Sequence, residues 1–569
     1  MTGTYTVGGK TVSLTQSDYV ASGGEGAIFV KGHDAYKLYH EASKMIPEGK
    51  IVELSVLRNL NNVLGPQEVI YKNNNPVGFV MKYVKNCEFL CKLFSKGFRD
   101  RNGFSNTDAA ALVKIMQDTL KGIHAHKILG VDLNENNFLT SAQFDNVYFI
   151  DVDSYKTASY PATALMESVR DRKVKGHNFT ELSDWFSMAI TMFQLYIGCH
   201  PYKGRHPDFA PKDWMEMMDK GISVFNKKCK LPPACQDLNV IPKGHLRWFE
   251  SIFEKGDRTL PPEPDAIAPM GSVVAKVVLS NDKFDIVEVR NYKAPICVVR
   301  FIDGVCWVIT DGTVWGDSKT FFASTPVTGY TQKRIVHDLV ATHGDKPVWL
   351  RWNKINGTLS YSTYDNVSIK HLGEIACQNG FFVLNRCVYT VVRDSLVELS
   401  FRNSGVKINA LQQYIANIFH NHKIFDGIVL QDMLGTCRAA IPYEAGRCAI
   451  VRIKELDRCR VVGAKYDSGV AIIIAERNGK YERHTLIFNK DHTSYSGRVE
   501  HDAVLEEVNF SVKDNGVCIA ENGDKLEIFL DNAKVKVVDS PLNGGEKITI
   551  YKNDTYIVDG NSLYKISAK

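Results

Sequence analysis

The sequence predicts a multidomain α+β protein whose second half is entirely β. The chain has 569 residues, which is more than a single domain usually holds. Up to Pro264, stretches with helical and with strand-like spacing of apolar residues are mixed. Beyond this proline-rich point, short β-branched and aromatic runs follow one another with Gly, Asn and Asp turns between them.

Composition and charge exclude several classes of protein. Hydrophobic residues make up 44% of the chain and charged residues 23%, which is ordinary globular usage. The net charge of +5 is small, and no block of Lys and Arg indicates a nucleic-acid partner. The amino terminus lacks a secretory pattern, and the apolar segment 185–198 is shorter than the roughly 20 residues of a membrane span. We therefore expect a soluble, intracellular, cytoplasmic protein with no membrane partner; the oligomeric state stays open.

The thirteen cysteines favour reduced thiols over a disulfide framework. Their number is odd and they show no repeated spacing. Cys87 with Cys91, and Cys199 with His200, could also be read as metal ligands. Without a second cluster of ligands, ordinary core or surface residues are the better interpretation.

The strongest chemical pattern lies in residues 122–155. A helical segment leads into a polar loop with Asp132 and Asn137, and the apolar run 147–150 then delivers Asp151 and Asp153. Phosphoryl transfer needs an Asp that orients the attacking hydroxyl, and an Asn and a second Asp that bind divalent cations. The pattern predicts Asp132 as the catalytic carboxylate and Asn137 and Asp151 as metal ligands, with Asp153 ranked second for the metal. The alternative is a strand end capped by solvated Asp residues.

This stretch resembles the catalytic core of the protein-kinase superfamily, including bacterial and phage-type Ser/Thr kinase-like proteins. The string DLNENNFL at 132–139 is similar to the kinase string D-L-K-P-E-N-x-L, and Asp151 stands where the metal-binding Asp precedes Phe-Gly. The resemblance covers 19–264. It implies a bilobal fold, with an N-lobe at 1–86 and a C-lobe at 87–266, that binds ATP and Mg²⁺.

The resemblance also assigns residues of the N-lobe. Lys37 lies on a predicted strand, on the face opposite to Tyr36 and Leu38. It would bind the α- and β-phosphates. Glu53 would hold Lys37, with Glu48 as the fallback. The glycine-rich turn would cover the triphosphate, through Gly23, Gly24, Gly26 and Ile28. The segment that joins the two lobes would bind the adenine through its main chain, at Met81 and Tyr83.

Several positions depart from the family pattern. Asn134 replaces the usual catalytic-loop Lys, and Asp153 replaces the Gly after the metal-binding Asp. Val131 stands where many kinases have Arg, so we expect activity that needs no phosphorylation of the activation segment; loss of activity on phosphatase treatment would contradict this. Met166-Glu167 is the nearest match to the Ala-Pro-Glu anchor.

Two further residues are implied to hold the C-lobe together. Asp184 resembles the Asp that ties the central helix to the catalytic loop, and Arg258 is an expected buried ion-pair partner.

Residues 267–569 predict an all-β domain. Short strands recur at regular spacing, and one stretch, Leu411 to Phe419, has helical spacing. About 300 residues suit a β-propeller of six or seven four-stranded blades; two stacked β-sandwiches are the alternative. Such a domain is expected to recruit a protein substrate or partner.

Together these patterns predict an ATP- and Mg²⁺-dependent Ser/Thr protein kinase with a recruiting β domain. One alternative is a pseudokinase scaffold, which Asn134 and the short activation segment favour. The other is a kinase that acts on a small molecule or RNA, which Asn134 and the Asp-x-Asp turn favour.

Overall fold

A computed structural model of the chain describes most of its residues in two compact units. The described residues are 1–23, 25–232, 234–263, 283–310, 313–316, 319–323, 335–344, 346–364, 369–405, 407–503, 505–542 and 544–569. The first unit holds 1–100 and 104–275, and the second holds 101–103 and 276–569. Pro264 and the predicted boundary at 266/267 lie outside the described residues.

An antiparallel sheet of seven strands, in the order β2-β1-β6-β7-β5-β4-β3, opens the first unit. Its outer hairpin turns through Gly8 and Gly9, both with positive φ, and was not predicted. The hairpin of β4 and β5 turns at Gly32-His33. The strands are β1 (Gly3–Val7), β2 (Lys10–Leu14), β3 (Tyr19–Ser22), β4 (Gly26–Lys31), β5 (Asp34–Tyr39), β6 (Glu68–Lys72) and β7 (Asn75–Lys82).

The rest of the first unit is mostly helical and carries a small sheet in the order β10-β9-β8. A capping box of Ser105 and Asp108 starts the long helix α3. Every residue of α4 from Ser183 to Ile197 is buried, as expected of a central helix that is apolar on all sides. The elements are α1 (Glu48–Leu54), β8 (Cys87–Phe89), α2 (Lys96–Asn102), α3 (Asn106–Ala125), β9 (Phe138–Ser141), β10 (Val147–Phe149), α4 (Glu181–Ile197), α5 (Trp214–Asp219) and α6 (Lys243–Glu250).

The second unit consists of seven antiparallel sheets of four strands each. Six of the sheets each consist of four strands that are consecutive in the sequence. The seventh, β11-β38-β37-β36, combines the first strand of the unit with its last three. The strands of three sheets are β12 (Val298–Ile302), β13 (Val305–Ile309), β14 (Thr313–Gly316), β15 (Lys319–Ala323); β16 (Ile335–Ala341), β17 (Pro347–Asn353), β18 (Thr358–Tyr364), β19 (Ile369–Ala376); β20 (Phe381–Leu384), β21 (Cys387–Val392), β22 (Ser395–Asn403) and β23 (Ile408–Asn417). Three more contain β24 (His422–Phe425), β25 (Ile428–Met433), β26 (Thr436–Glu444), β27 (Arg447–Arg452); β28 (Arg460–Asp467), β29 (Val470–Arg477), β30 (Lys480–Phe488), β31 (Tyr495–His501); β32 (Phe510–Val512), β33 (Cys518–Asn522), β34 (Lys525–Phe529) and β35 (Val535–Asp539). The seventh contains β11 (Phe284–Asn291), β36 (Lys547–Tyr551), β37 (Asp554–Asp559) and β38 (Ser562–Ala568).

Each sheet of the second unit shares a buried apolar cluster with the next one. For example, Trp307 of β13 packs in one cluster with Trp349 of β17. The last sheet also shares a cluster with the first of the successive sheets, in which Leu563 of β38 packs with Val299 of β12 and Val308 of β13. Buried contacts therefore link the seven sheets in a closed cycle.

The mixed and mainly β class agrees with the prediction, but the helix expected at Leu411 to Phe419 was wrong. The strand β23 covers most of this stretch and pairs with β22. A β-bulge between Leu396 and Val397 shifts the register there. Because pairing with a neighbouring strand overrides a short helical pattern, the local spacing was misleading.

The thirteen cysteines are all free thiols, in agreement with the prediction. No group of three or more His, Cys, Asp and Glu in the described residues is arranged to hold a metal. None of the helices in the described ranges is long and apolar enough to cross a membrane.

Candidate active site

Lys37 lies in the middle of β5 and is only 9% exposed. Its Nζ donates to Asp153 Oδ2 at 2.6 Å, and the hydroxyl of Tyr39 donates to the same oxygen at 2.8 Å. On the neighbouring strand, a Cβ at Gly78 would lie 1.9 Å from the carbonyl oxygen of Lys37. Glycine there allows β7 to approach β5 closely, and this strand pairing fixes the backbone of Lys37.

The two carboxylates of the Asp-x-Asp turn differ sharply in their surroundings. Asp153 is 5% exposed and accepts both donors described above. Burial disfavours its charged form, yet the pKa of Asp153 is lowered because the Lys37 ammonium outweighs that effect. The side chain of Asp151 is 61% exposed, with Oδ1 3.9 Å from Lys37 Nζ. Asp151 has a φ of 55°, a left-handed conformation that Asp adopts more readily than most residues.

The polar loop packs directly against this turn. Two backbone hydrogen bonds join Leu129 to Lys156, and the amide of Ile150 donates to the carbonyl oxygen of Asn137 at 3.0 Å. Asn137 Nδ2 donates to the carbonyl oxygen of Asp132 at 2.8 Å, which leaves the amide oxygen as the atom that a cation would take. The structure therefore brings the predicted catalytic loop and the predicted metal turn together.

Asp132 is 7% exposed, and its carboxylate already accepts a hydrogen bond. The backbone amide of Met166 donates to its Oδ1 at 2.8 Å. Burial raises the pKa of Asp132, while hydrogen bonds from the side chains of Asn134 and Asn137 and from the Met166 amide act to lower it. Asn134 therefore supplies a neutral donor where the resemblance would place a cation.

Asp184, at the start of α4, accepts two hydrogen bonds from the backbone of the loop. Its Oδ2 accepts the amide of Gly130 at 2.7 Å and its Oδ1 accepts the amide of Val131 at 3.0 Å. His124 Nε2 lies 2.9 Å from Asp184 Oδ2. Val131 has a φ of 61°, which is strained for a β-branched residue, and the two hydrogen bonds to Asp184 help to hold this conformation. The predicted tie between central helix and catalytic loop is confirmed.

The glycine-rich turn closes between β3 and β4. The Gly23 amide donates to the carbonyl oxygen of Gly26 at 2.9 Å. A Cβ at Gly26 would lie 2.5 Å from the Leu38 carbonyl oxygen, whereas a Cβ at Gly23 would meet nothing within 4 Å. Gly26 is thus required by strand packing, while Gly23 leaves open space next to the turn. Gly24 lies outside the described residues.

Two residues of this hairpin lie next to Lys37. Ile28 is its cross-strand neighbour and so shares its face of the sheet. Glu25 places Oε2 3.8 Å from Lys37 Nζ. The ammonium is thus surrounded by one close carboxylate, that of Asp153, and two more distant ones.

The segment predicted to meet adenine lies at the end of β7 and directly after it. Met81 pairs with Ala35 within the sheet, and the Tyr83 amide donates to the His33 carbonyl oxygen at 2.9 Å. Since backbone groups of successive residues in a strand point to opposite sides, the main-chain groups of Lys82 at the end of β7 point away from β5. The Tyr83 amide is engaged with His33.

The structure does not pair Lys37 with a carboxylate of α1, contrary to the prediction. Glu53 accepts the Ser159 amide at 3.2 Å, and Glu48 accepts the Tyr71 hydroxyl. Among the charged side chains of α1, Lys50 is the buried one, at 1% exposure, and it donates to the Pro161 carbonyl oxygen at 3.1 Å. Burial lowers the pKa of Lys50 to about 8. The helix α1 thus contacts the segment that follows the Asp-x-Asp turn.

Arg258 forms the predicted ion pair, with a partner that the sequence did not reveal. Its Nε and one terminal nitrogen donate to the two oxygens of Asp171 at 2.7 and 2.6 Å. The side chain of Asp171 is 4% exposed. Glu167, the predicted anchor, is instead 57% exposed and pairs with Arg170 and Arg172.

The side chains of this site are of the chemical types that can bind a nucleotide together with a divalent cation. An exposed carboxylate on Asp151, the amide oxygen of Asn137, a fixed ammonium on Lys37 and open space at Gly23 lie in the same unit. Oxygen ligands of this kind are those that Mg²⁺ prefers.

Comparison with known proteins supports a kinase-like N-terminal region. The chain is 27% identical over 127 residues to serine/threonine-protein kinase 1 of Heliothis zea nuclear polyhedrosis virus. The match covers 21% of this chain and 47% of the viral protein, so the chain spans about half the length of this relative. No family model matches the chain.

Proposed function

We propose that the protein is an ATP- and Mg²⁺-dependent protein kinase that phosphorylates Ser or Thr of protein targets. The observation that carries the proposal is the joint placement of Lys37 beside Asp151 and of Asp132 and Asn137 against the same turn. The buried Tyr155 hydroxyl lies close enough to Asp132, Asp151 and Asp184 for all three to raise its pKa, with burial as the main cause. The viral Ser/Thr kinase to which the N-terminal region is similar supports the same reaction class.

Each residue has a role in the proposed reaction. Lys37 binds phosphate oxygens of the nucleotide, and main-chain groups of the segment 81–84 bind the adenine edge. Asn137 and Asp151 would hold Mg²⁺, which neutralises charge on the phosphates when bound. Asp132 orients the acceptor hydroxyl and takes its proton, while the Met166 amide, which donates to Oδ1, helps to hold the carboxylate in place.

We further propose that the second unit is a seven-bladed β-propeller that recruits the target. Support comes from its seven four-stranded sheets and from the closed cycle of apolar clusters that links them. The strand β11, paired with β38, would close the ring by joining the two ends of the unit. Propeller faces more often bind partners than carry out chemistry, and this motivates the recruiting role.

Labelled ATP with Mg²⁺ and a cell extract, followed by phosphoamino-acid analysis, tests the proposed reaction. We expect label on Ser or Thr of proteins, and a loss of at least about 100-fold with Asp132→Asn. Asp145→Asn, which changes an exposed carboxylate of the same unit, is the matched control and should label normally. If the label is found only on small molecules or RNA, the acceptor belongs to that class and is not a protein.

A pseudokinase scaffold is the second candidate, and one observation favours it. The carboxylate of Asp132 already accepts hydrogen bonds from the Met166 amide and from the side chains of Asn134 and Asn137, so fewer of its acceptor positions remain for a substrate hydroxyl. If the wild type binds MgATP without transferring phosphate, and Asp132→Asn leaves its cellular effect unchanged, the scaffold replaces the kinase.

A further inference from the structure

The second carboxylate of the Asp-x-Asp turn holds Lys37, whereas the acidic side chains of α1 bind elsewhere. Lys37 Nζ lies 2.6 Å from Asp153 Oδ2, and Glu53 binds the Ser159 amide instead. The side chains of Tyr39 and Phe79 flank the ammonium, with ring centroids 5.3 and 5.6 Å from Nζ. The ammonium is therefore fixed by one buried carboxylate and two aromatic rings.

Metal binding and lysine binding place different demands on a carboxylate. A metal ligand must offer its oxygens to an incoming cation, as the exposed side chain of Asp151 can. Asp153 is buried, and one of its oxygens already accepts two hydrogen bonds. Moving Asp153 onto a cation would leave both the ammonium and the Tyr39 hydroxyl buried without this acceptor.

We propose that Asp153 is the positioning residue for Lys37, assisted by Tyr39, and that Asp151 alone supplies the turn's metal ligand. This inference rests on the proposed kinase function. One short turn, with the 3₁₀ segment Val152–Ser154 at its centre, would then set both the phosphate-binding ammonium and the metal-binding carboxylate.

The helix α1 takes a different task under this arrangement. Lys50 binds the Pro161 carbonyl and Glu53 binds the Ser159 amide, so two side chains of α1 hold the segment after the turn. Nucleotide binding then does not depend on a carboxylate from α1.

Steady-state kinetics of the full chain, with ATP and Mg²⁺ varied separately, tests the assignment. For Asp153→Asn we expect the KM for ATP at saturating Mg²⁺ to rise at least about 10-fold, with an unchanged Mg²⁺ concentration for half-maximal rate. For Asp151→Asn we expect the Mg²⁺ requirement to rise instead. Asp34→Asn, an exposed carboxylate on the same strand as Lys37, is the control and should match the wild type.

Two further variants keep the test decisive. Tyr39→Phe removes one hydrogen bond to Asp153 and should raise the KM for ATP in the same direction, by a smaller factor. If the thermal transition shows that Asp153→Asn does not fold, the KM for ATP of Tyr39→Phe tests the assignment in its place. Glu53→Gln tests the alternative holder and should leave the KM for ATP within about two-fold of the wild type.

Several results would overturn the assignment. These are a raised Mg²⁺ requirement in Asp153→Asn without a change in the KM for ATP, a wild-type KM in Tyr39→Phe, or a rise in Glu53→Gln as large as that in Asp153→Asn. A wild type that neither binds nor turns over MgATP would instead refute the proposed function, so the two failures are distinct.

Discussion

Among single side chains, Asp132 gives the clearest pH dependence. Burial raises its pKa, and the protonated form cannot accept a proton from the acceptor hydroxyl. Activity should therefore fall as the pH decreases, at a higher pH than an ordinary carboxyl would cause. Because the Asn134 amide lowers this pKa, Asn134→Ala should move the acidic limb to higher pH.

The measurement is the pH profile of kcat/KM for the wild type and for Asn134→Ala. Asn61→Ala, an exposed asparagine of the same unit, is the control and should keep the wild-type profile. An acidic limb that stays in place or moves to lower pH in Asn134→Ala would show that this amide does not act on the carboxylate that the proposed function makes catalytic.

The sequence could predict that the loop with Asp132 and Asn137 lies against the Asp-x-Asp turn, whereas it could not predict the partner of Lys37. The loop residues stand close together in the chain, so their spacing carries the signal. The partner depends on how α1 packs, and a helix of seven residues offers two acidic candidates. The buried residues Lys50, Ile51 and Leu54 mark the inward face of α1, and that spacing was the available sign that Glu53 faces another direction.

At the level of elements, the contact between β5 and β7 depends on one glycine. A Cβ at Gly78 would lie 1.9 Å from the Lys37 carbonyl oxygen, so Gly78→Ala must push the two strands apart. We expect a loss of about 1–3 kcal/mol in the free energy of unfolding and a raised KM for ATP. At Gly463 a Cβ would make only an ordinary contact of 3.7 Å with Val508, and Gly463→Ala is the control. Denaturant unfolding and ATP kinetics measure both effects; equal behaviour of the two variants would contradict the expectation.

The ion pair of Asp171 and Arg258 joins the segment between the Asp-x-Asp turn and α4 to the residues that follow α6. Because both side chains are largely buried, Asp171→Asn leaves the guanidinium without its charged partner. We expect a loss of about 3–5 kcal/mol in the free energy of unfolding. Asp219→Asn breaks a pair with Arg172 in which Asp219 is 60% exposed, and should cost less than about 1 kcal/mol. Denaturant unfolding of both variants tests this contrast, and similar losses would refute it.

For the molecule as a whole, the sequence indicated a β-rich second half but not how its strands are grouped. Runs of β-branched residues mark single strands, and turn residues mark hairpins, because both signals are local. The pairing of β11 with β38 joins the two ends of the second unit, and no local pattern reports it. For the same reason the sequence left both a six- or seven-bladed propeller and two stacked sandwiches open.

The closed cycle of sheets in the second unit can be tested at the cluster that joins its two ends. Leu563 of β38 is 1% exposed and packs with Val299 and Val308 of the next sheet in the cycle. Leu563→Ala should cost about 2–5 kcal/mol in the free energy of unfolding. If this cluster completes the cycle, amide hydrogen exchange should rise in β11–β13 and in β36–β38 before it rises in β20–β27. Val537→Ala, at a 55% exposed position of β35, is the control. Faster exchange spread evenly over all seven sheets, or confined to β38, would argue against a closed cycle that depends on this contact.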